Sequence, residues 1–129
     1  AWTRRLAEET AATAAVLSSR ALRLNNNRFQ VDVSWRTSDG KSGAGMPVPL
    51  TGDTGYFWFF NSSNVELLVK VLNGCGLGGH YWVFAGGLTD VNTVITVTDT
   101  ATGARKSYNN PVGTPFQPLQ DTSAFATCP

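Results

Sequence analysis

Few residues in this chain have types and spacing that could carry chemistry. His80 is the single histidine. A Ser/His/Asp hydrolase needs that base beside its nucleophile, yet His80 opens an apparent strand next to Tyr81 and Trp82. No Gly-x-Ser-x-Gly elbow precedes a helix, so His80 reads as structural or surface. Nine acidic residues make some carboxylate pair inevitable, and a glycosidase would need such a pair across a cleft. Asp39, Asp53, Asp90 and Asp99 nevertheless sit in turn-like stretches, where Asp is expected for local hydrogen bonding. The run Gly74-Cys75-Gly76-Leu77-Gly78-Gly79 resembles a phosphate-cradling loop, but such a loop must open a helix. Here a strand follows, and the run reads as a flexible turn. No catalytic residue and no cofactor are expected.

Cys75 and Cys128 are the two cysteines. A metal site would have only Cys75, His80 and Cys128 to draw on, and Cys128 lies beside the C-terminus, where a ligand is poorly held. A disulfide fits better, because it pins that tail to the glycine-rich loop; free thiols are the remaining reading. Such a bridge closes a loop of roughly fifty residues, worth ~3–4 kcal/mol in the loop-entropy account. It would place the chain in an oxidising compartment: the cell surface, the periplasm or outside.

The aromatic residues are the most informative group. Tyr56, Trp58 and Phe60 share one face of an extended segment, and Phe57 and Phe59 the other; Tyr81 opposes Trp82 in the same way. One face must fill a core. The other leaves large rings either outward or under a neighbouring element. Outward rings would offer a stacking platform for sugar faces, with Tyr56, Trp58, Tyr81 and Trp82 as candidate ligand-binding residues. An exposed apolar patch of a few hundred Å2 marks an interaction surface.

These residues need strands to hold them. Phe29, Val31, Val33 and Trp35 alternate with polar residues, the period of a half-buried strand. Residues 55–60 and 80–84 are aromatic strands, and 65–72 is another. Residues 91–98 and 104–108 flank a hairpin loop with Gly103 at the left-handed position. Segment 46–50, with Pro47 and Pro49, is an edge or extended stretch. From Pro111 on, four prolines predict an extended strap and no sheet strand. The pattern is an antiparallel β-sandwich, Ig-like or similar.

The N-terminal residues 1–24 differ. Ala, Leu, Glu and Arg without Gly or Pro over residues 3–21 favour an α-helix. Trp2, Leu6, Thr13, Leu17 and Leu24 form a thin apolar stripe at helical spacing. Asn25-Asn26-Asn27 ends the helix, since Asn tolerates the conformations a stop requires. The domain division is thus a helical segment at 1–24 and a sandwich at 25–129. Trp2, Leu6 and Leu17 would dock either on the chain's own domain or on a partner, unless the segment is a linker or junction from a larger protein.

Length and composition bound the rest. The chain has 129 residues, room for one domain. Charged residues make up 15%, against a typical ~25%. The net charge of +1 divides into +3 over residues 1–28 and −2 over the remainder. Counterion release on nucleic acid is therefore not expected to hold a partner. No apolar run approaches the ~20 residues of a membrane span. Glu8 and Glu9 precede the small apolar run 11–17 and no cleavage pattern follows, so the chain reads as a mature protein or a segment of a longer one.

Several motifs together resemble a recurrent β-sandwich module of secreted bacterial proteins, often near their C-termini beside catalytic or adhesive domains. They are Leu24-Asn25-Asn26-Asn27-Arg28-Phe29; Thr54-Gly55-Tyr56-Phe57-Trp58-Phe59-Phe60; Gly79-His80-Tyr81-Trp82-Val83-Phe84; and Thr96-Val97-Thr98-Asp99-Thr100-Ala101-Thr102-Gly103. The resemblance covers about residues 22–127. Arg23 stands where many relatives have a cysteine, which leaves Cys75 with Cys128 as the one available pair. The resemblance implies an extracellular sandwich and carries over no catalytic residue. Two functions follow as expectations: a non-enzymatic extracellular module that attaches to a surface, polysaccharide or protein partner, and a structural subunit that self-assembles into a fibre through its N-terminal segment.

Overall fold

A computed structural model describes residues 20–129. The expected N-terminal helix, with Trp2, Leu6 and Leu17, lies outside the described residues. Ten strands follow: β1 Leu22–Leu24, β2 Phe29–Arg36, β3 Ser42–Ala44, β4 Met46–Pro49, β5 Thr54–Trp58, β6 Leu67–Gly74, β7 His80–Gly87, β8 Asn92–Asp99, β9 Arg105–Asn110 and β10 Leu119–Phe125. They form two antiparallel five-stranded sheets facing each other across one core. One sheet runs β1-β2-β8-β9, with β3 also on β2, and the other runs β10-β7-β6-β5-β4. The chain changes sheets at buried Gly45, between β3 and β4.

The alternation read from the sequence places the core. Phe29, Val31 and Val33 from β2 and Ile95 and Val97 from β8 meet Phe57, Leu67, Val69, Val71 and Val83 from the opposite sheet, all essentially inaccessible to water. Phe29 sits edge-on to Tyr81 with ring centroids 4.7 Å apart, and Phe125 closes the same cluster at 5.2 Å. The β8–β9 hairpin forms as expected, and Gly103 takes φ +81°, a region that a Cβ penalises.

Three expectations are corrected. Leu22–Leu24 is a strand: its Leu side chains are 2% and 1% exposed and pair onto Phe29–Val31 of β2. The sandwich therefore begins before residue 25, and Leu24 belongs to a strand. Asn25, Asn26 and Asn27 form a tight reversal, all three with φ between +55° and +67°, and Asn25 Nδ2 donates to the Val71 carbonyl at 2.8 Å. The C-terminal stretch is not only a strap, because Leu119–Phe125 joins the second sheet beside β7. Pro111, Pro115 and Pro118 lie in the connection before it, where no ladder donor is needed, and Pro129 follows it. Finally, Phe60 lies beyond the end of β5, 53% exposed, with its ring edge against Trp35.

Candidate functional site

Strand register shows what each sheet presents outward. In antiparallel pairs, directly opposed residues share a face and successive residues alternate. On the outer face of the β1-β2-β8-β9 sheet the rows read Gln30, Thr98, Arg105; Asp32, Thr96, Ser107; and Ser34, Val94, Asn109. This face is polar, as a solvated sheet face should be.

The outer face of the other sheet is different. Its rows are Met46 with Trp58; Val48, Tyr56, Leu68 and Gly86; Thr54, Lys70, Phe84 and Gln120; and Leu72 with Trp82. Apolar and aromatic residues thus occupy both faces of β4 to β7, with Lys70 the one charge in these outward rows among the described residues. Leu68 is 43% exposed. Tyr56, Trp58, Leu72, Trp82 and Phe84 are half-buried.

Trp82 has a specific seat. A Cβ on Gly74 would fall 2.2 Å from the indole Cε2 and 2.3 Å from Nε1. No side chain larger than hydrogen fits there, so the indole lies directly across the β6 backbone. Phe84 stands against it at 89°, with centroids 6.2 Å apart, the edge-to-face arrangement that ring quadrupoles favour.

The aromatic residues expected to bind ligand are therefore separated into two groups. Tyr56, Trp58 and Trp82 share the outer face. Tyr81 does not: it is 5% exposed, packed on Phe29, with its hydroxyl 3.3 Å from the Arg28 guanidinium. Burial on the inner face removes it from any surface platform. Phe84, Leu68 and Leu72 belong to the outer face although they were not singled out; their parity with Trp82 and Lys70 along the strands was the available signal.

Beneath this face the C-terminal tail is held in two ways. Cys75 and Cys128 form a disulfide, S–S 2.00 Å and Cα–Cα 5.9 Å, across 53 residues. Cys75 begins the short turn Cys75–Leu77 that leads out of Gly74, so the bridge anchors the tail next to the Trp82 seat. Arg28 supplies the second hold. Its Nε and Nη2 donate to the two carboxylate oxygens of Asp99 at 2.7 and 3.0 Å, and Nη2 also donates to the Thr127 carbonyl at 2.7 Å. Burial alone would push the Asp99 carboxyl up. The Arg28 guanidinium, with Thr127 and the Ala101 N–H, outweighs it and holds Asp99 well below the ordinary carboxylate range. Nothing local in the sequence announces a pair 71 residues apart.

The remaining polar groups hold turns. Asp53 accepts from the Thr51 and Thr54 hydroxyls at 3.0 and 2.9 Å, and Thr37 donates to Asp39. His80 Nδ1 lies 2.9 Å from the Gly78 carbonyl. A shallow depression of about 550 Å3 has Glu66 and Asp90 among its lining residues, and the Glu66 carboxylate accepts from Asn64 Nδ2 at 3.0 Å. Among the described residues no three of His, Cys, Asp and Glu come together as a metal-binding set, and no helix is long and apolar enough to cross a membrane. A groove of about 850 Å3 on the polar sheet is lined by Arg20, Asp32, Trp35 and Gly43 among others. There burial pushes the Asp32 carboxyl up, against the Gln30 amide and the charges of Arg105 and Arg23.

Compared with protein-family models, with curated proteins and with solved structures, the chain finds no significant match.

Proposed function

We propose that this chain is a non-enzymatic attachment module that works outside the cell and binds through the outer face of β4 to β7. The observation that supports it is the contrast between the two outer faces. A sandwich that only had to fold would solvate both, as it does on β2, β8 and β9. Tyr56, Trp58, Leu72, Trp82 and Phe84 stay only half-buried and Leu68 is 43% exposed, so apolar surface remains in water that the isolated domain does not cover. Covering such a patch, at ~25 cal/mol per Å2 of apolar surface, favours association. The disulfide fits an oxidising, extracellular setting, and the resemblance to a module of secreted bacterial proteins supports the same reading.

Labelled full-length chain offered to washed cell envelopes and extracellular matrix tests this. Leu68→Asp puts a charge on an exposed position of the face without touching the core, and Thr96→Asp puts one on a half-buried position of the polar sheet, opposite Asp32. Attachment lost in the first and kept in the second supports the reading. Attachment indifferent to Leu68 overturns it.

A second reading, a subunit that assembles through its N-terminal segment, is favoured by one observation. The 850 Å3 groove lies where the described chain begins, with Arg20 on its wall. Solution mass separates the two: polymers formed by the full chain and lost when it begins at Arg20 favour the subunit, and a monomer in both cases removes it.

A further inference from the structure

Resting on the attachment reading, we infer that the ligand of this face is an uncharged, linear polysaccharide, with one sugar ring stacked on the Trp82 indole. The size of the patch argues first. Rows two residues apart are ~6.7 Å from one another and strands are ~4.8 Å apart. Four rows across β4 to β7 therefore give a footprint of about 14 by 20 Å, or ~300 Å2. A stable protein partner, a second copy included, needs ~800 Å2 on each side, so the patch alone is too small for one. It is long enough for a chain-like ligand. Trp58 and Trp82 stand three rows and two strands apart, about 22 Å corner to corner, with Leu68 and Phe84 on the diagonal between them.

Charge argues second. Single-stranded nucleic acid also stacks on aromatic rings, but its binding sites combine rings with a cationic groove. Here Lys70 is the only charged residue of the outward rows among those described, which suits a neutral ligand. The seat of Trp82 argues third. The indole lies across Gly74 with its ring set against the sheet, so its opposite face is the one turned away from the backbone. Pyranose rings present C–H faces that pack on such a surface, while Gln120 beside Phe84 at the margin and Lys70 within the face, between Thr54 and Phe84, supply hydrogen-bonding groups for hydroxyls. The Phe84 edge holds the indole in place from the side.

The test measures retention of the full, oxidised chain on microcrystalline cellulose, on chitin and on insoluble β-1,3-glucan. Anionic and neutral phospholipid vesicles are run alongside. Retention on at least one glycan, equal at low and high salt, is expected. Trp82→Ala and Leu68→Asp should each reduce it roughly tenfold or more, about the loss of one buried aromatic contact, while Thr96→Asp leaves it unchanged. Gly74→Ala should reduce it as well, because the indole is displaced though still present; circular dichroism and an intact disulfide check its fold, and Leu68→Asp serves if it misfolds. Retention on none of the glycans, with Leu68-dependent attachment to matrix intact, overturns the sugar inference and leaves the attachment reading standing. Binding to vesicles alone through the same residues has the same consequence. Glycan retention that Leu68→Asp and Trp82→Ala leave unchanged overturns it too. Absence of both glycan and matrix binding overturns both readings.

Discussion

Replacing Arg28 with Ala isolates the ion pair that joins the start of β2 to the end of β8 and, through Arg28, also holds the Thr127 carbonyl of the tail. Asp99 is wholly inaccessible, and Arg28 meets both its oxygens. Removing Arg28 leaves that carboxylate buried without a counterion and also frees the Thr127 carbonyl. Breaking a buried pair from one side typically costs ~3–5 kcal/mol. For a domain of this length ~1 kcal/mol corresponds to about 4 °C in Tm, so the variant should melt ~12–20 °C below wild type at neutral pH. The pH dependence fixes the sign. Asp99 is depressed in the folded state, so its contribution is full above the unfolded value near 3.8 and fades as pH falls towards its lowered folded pKa. In the variant the unpaired carboxyl is easier to protonate, so acid relieves it. The gap between the two melting curves, followed by far-UV circular dichroism, must therefore narrow between pH 6 and pH 3. A gap below about 4 °C at neutral pH, or one that widens in acid, would refute the assignment of Arg28–Asp99 as a stabilising buried ion pair.

Three further outcomes follow from the same structure. Replacing both Cys75 and Cys128 with Ser opens a loop of 53 residues and should lower stability by ~4 kcal/mol in the chain-entropy account, read as a denaturant midpoint; a change under ~1 kcal/mol would count against that account here. A chain beginning at Asn25 lacks Leu22 and Leu24 relative to one beginning at Arg20, two fully buried side chains worth ~3–6 kcal/mol together, and should be less stable by that amount. Equal stability of the two truncations would show that β1 is dispensable. Asn26 has φ +55°, so Asn26→Gly should be neutral or slightly stabilising and Asn26→Val destabilising by ~1–2 kcal/mol, measured by urea unfolding.

Much of the sandwich was legible because alternation reports burial directly. Phe29, Val31 and Val33 face inward as their spacing requires, and the turn glycine of the β8–β9 hairpin lies where a left-handed residue was expected. The errors have physical causes. Leu22-Arg23-Leu24 is too short to show a period, and the helix-favouring residues before it extend the wrong pattern; only pairing with β2 makes it a strand. The prolines after Pro111 describe the connection correctly but conceal β10, whose Leu119 and Phe125 find a partner edge on β7 supplied from far along the chain. Within the site, the split between Trp58 and Phe57 was readable from parity. Which side of Tyr81 and Trp82 faced the core was not, because both rings suit either side. Tyr81 is inward since it meets Phe29 and Arg28, contacts that exist only once the sheets are stacked. The Gly74 seat for Trp82 likewise depends on the β6–β7 register, which sequence alone does not specify.

The most direct test of the attachment reading compares the dissociation constants of Leu68→Asp and Thr96→Asp for extracellular matrix, with the full oxidised chain as reference. Leu68→Asp should weaken binding at least about tenfold, equivalent to ~1.4 kcal/mol, and Thr96→Asp should stay within about twofold of wild type. Equal affinities for all three proteins, or loss confined to Thr96→Asp, would contradict the assignment of the aromatic face as the binding surface.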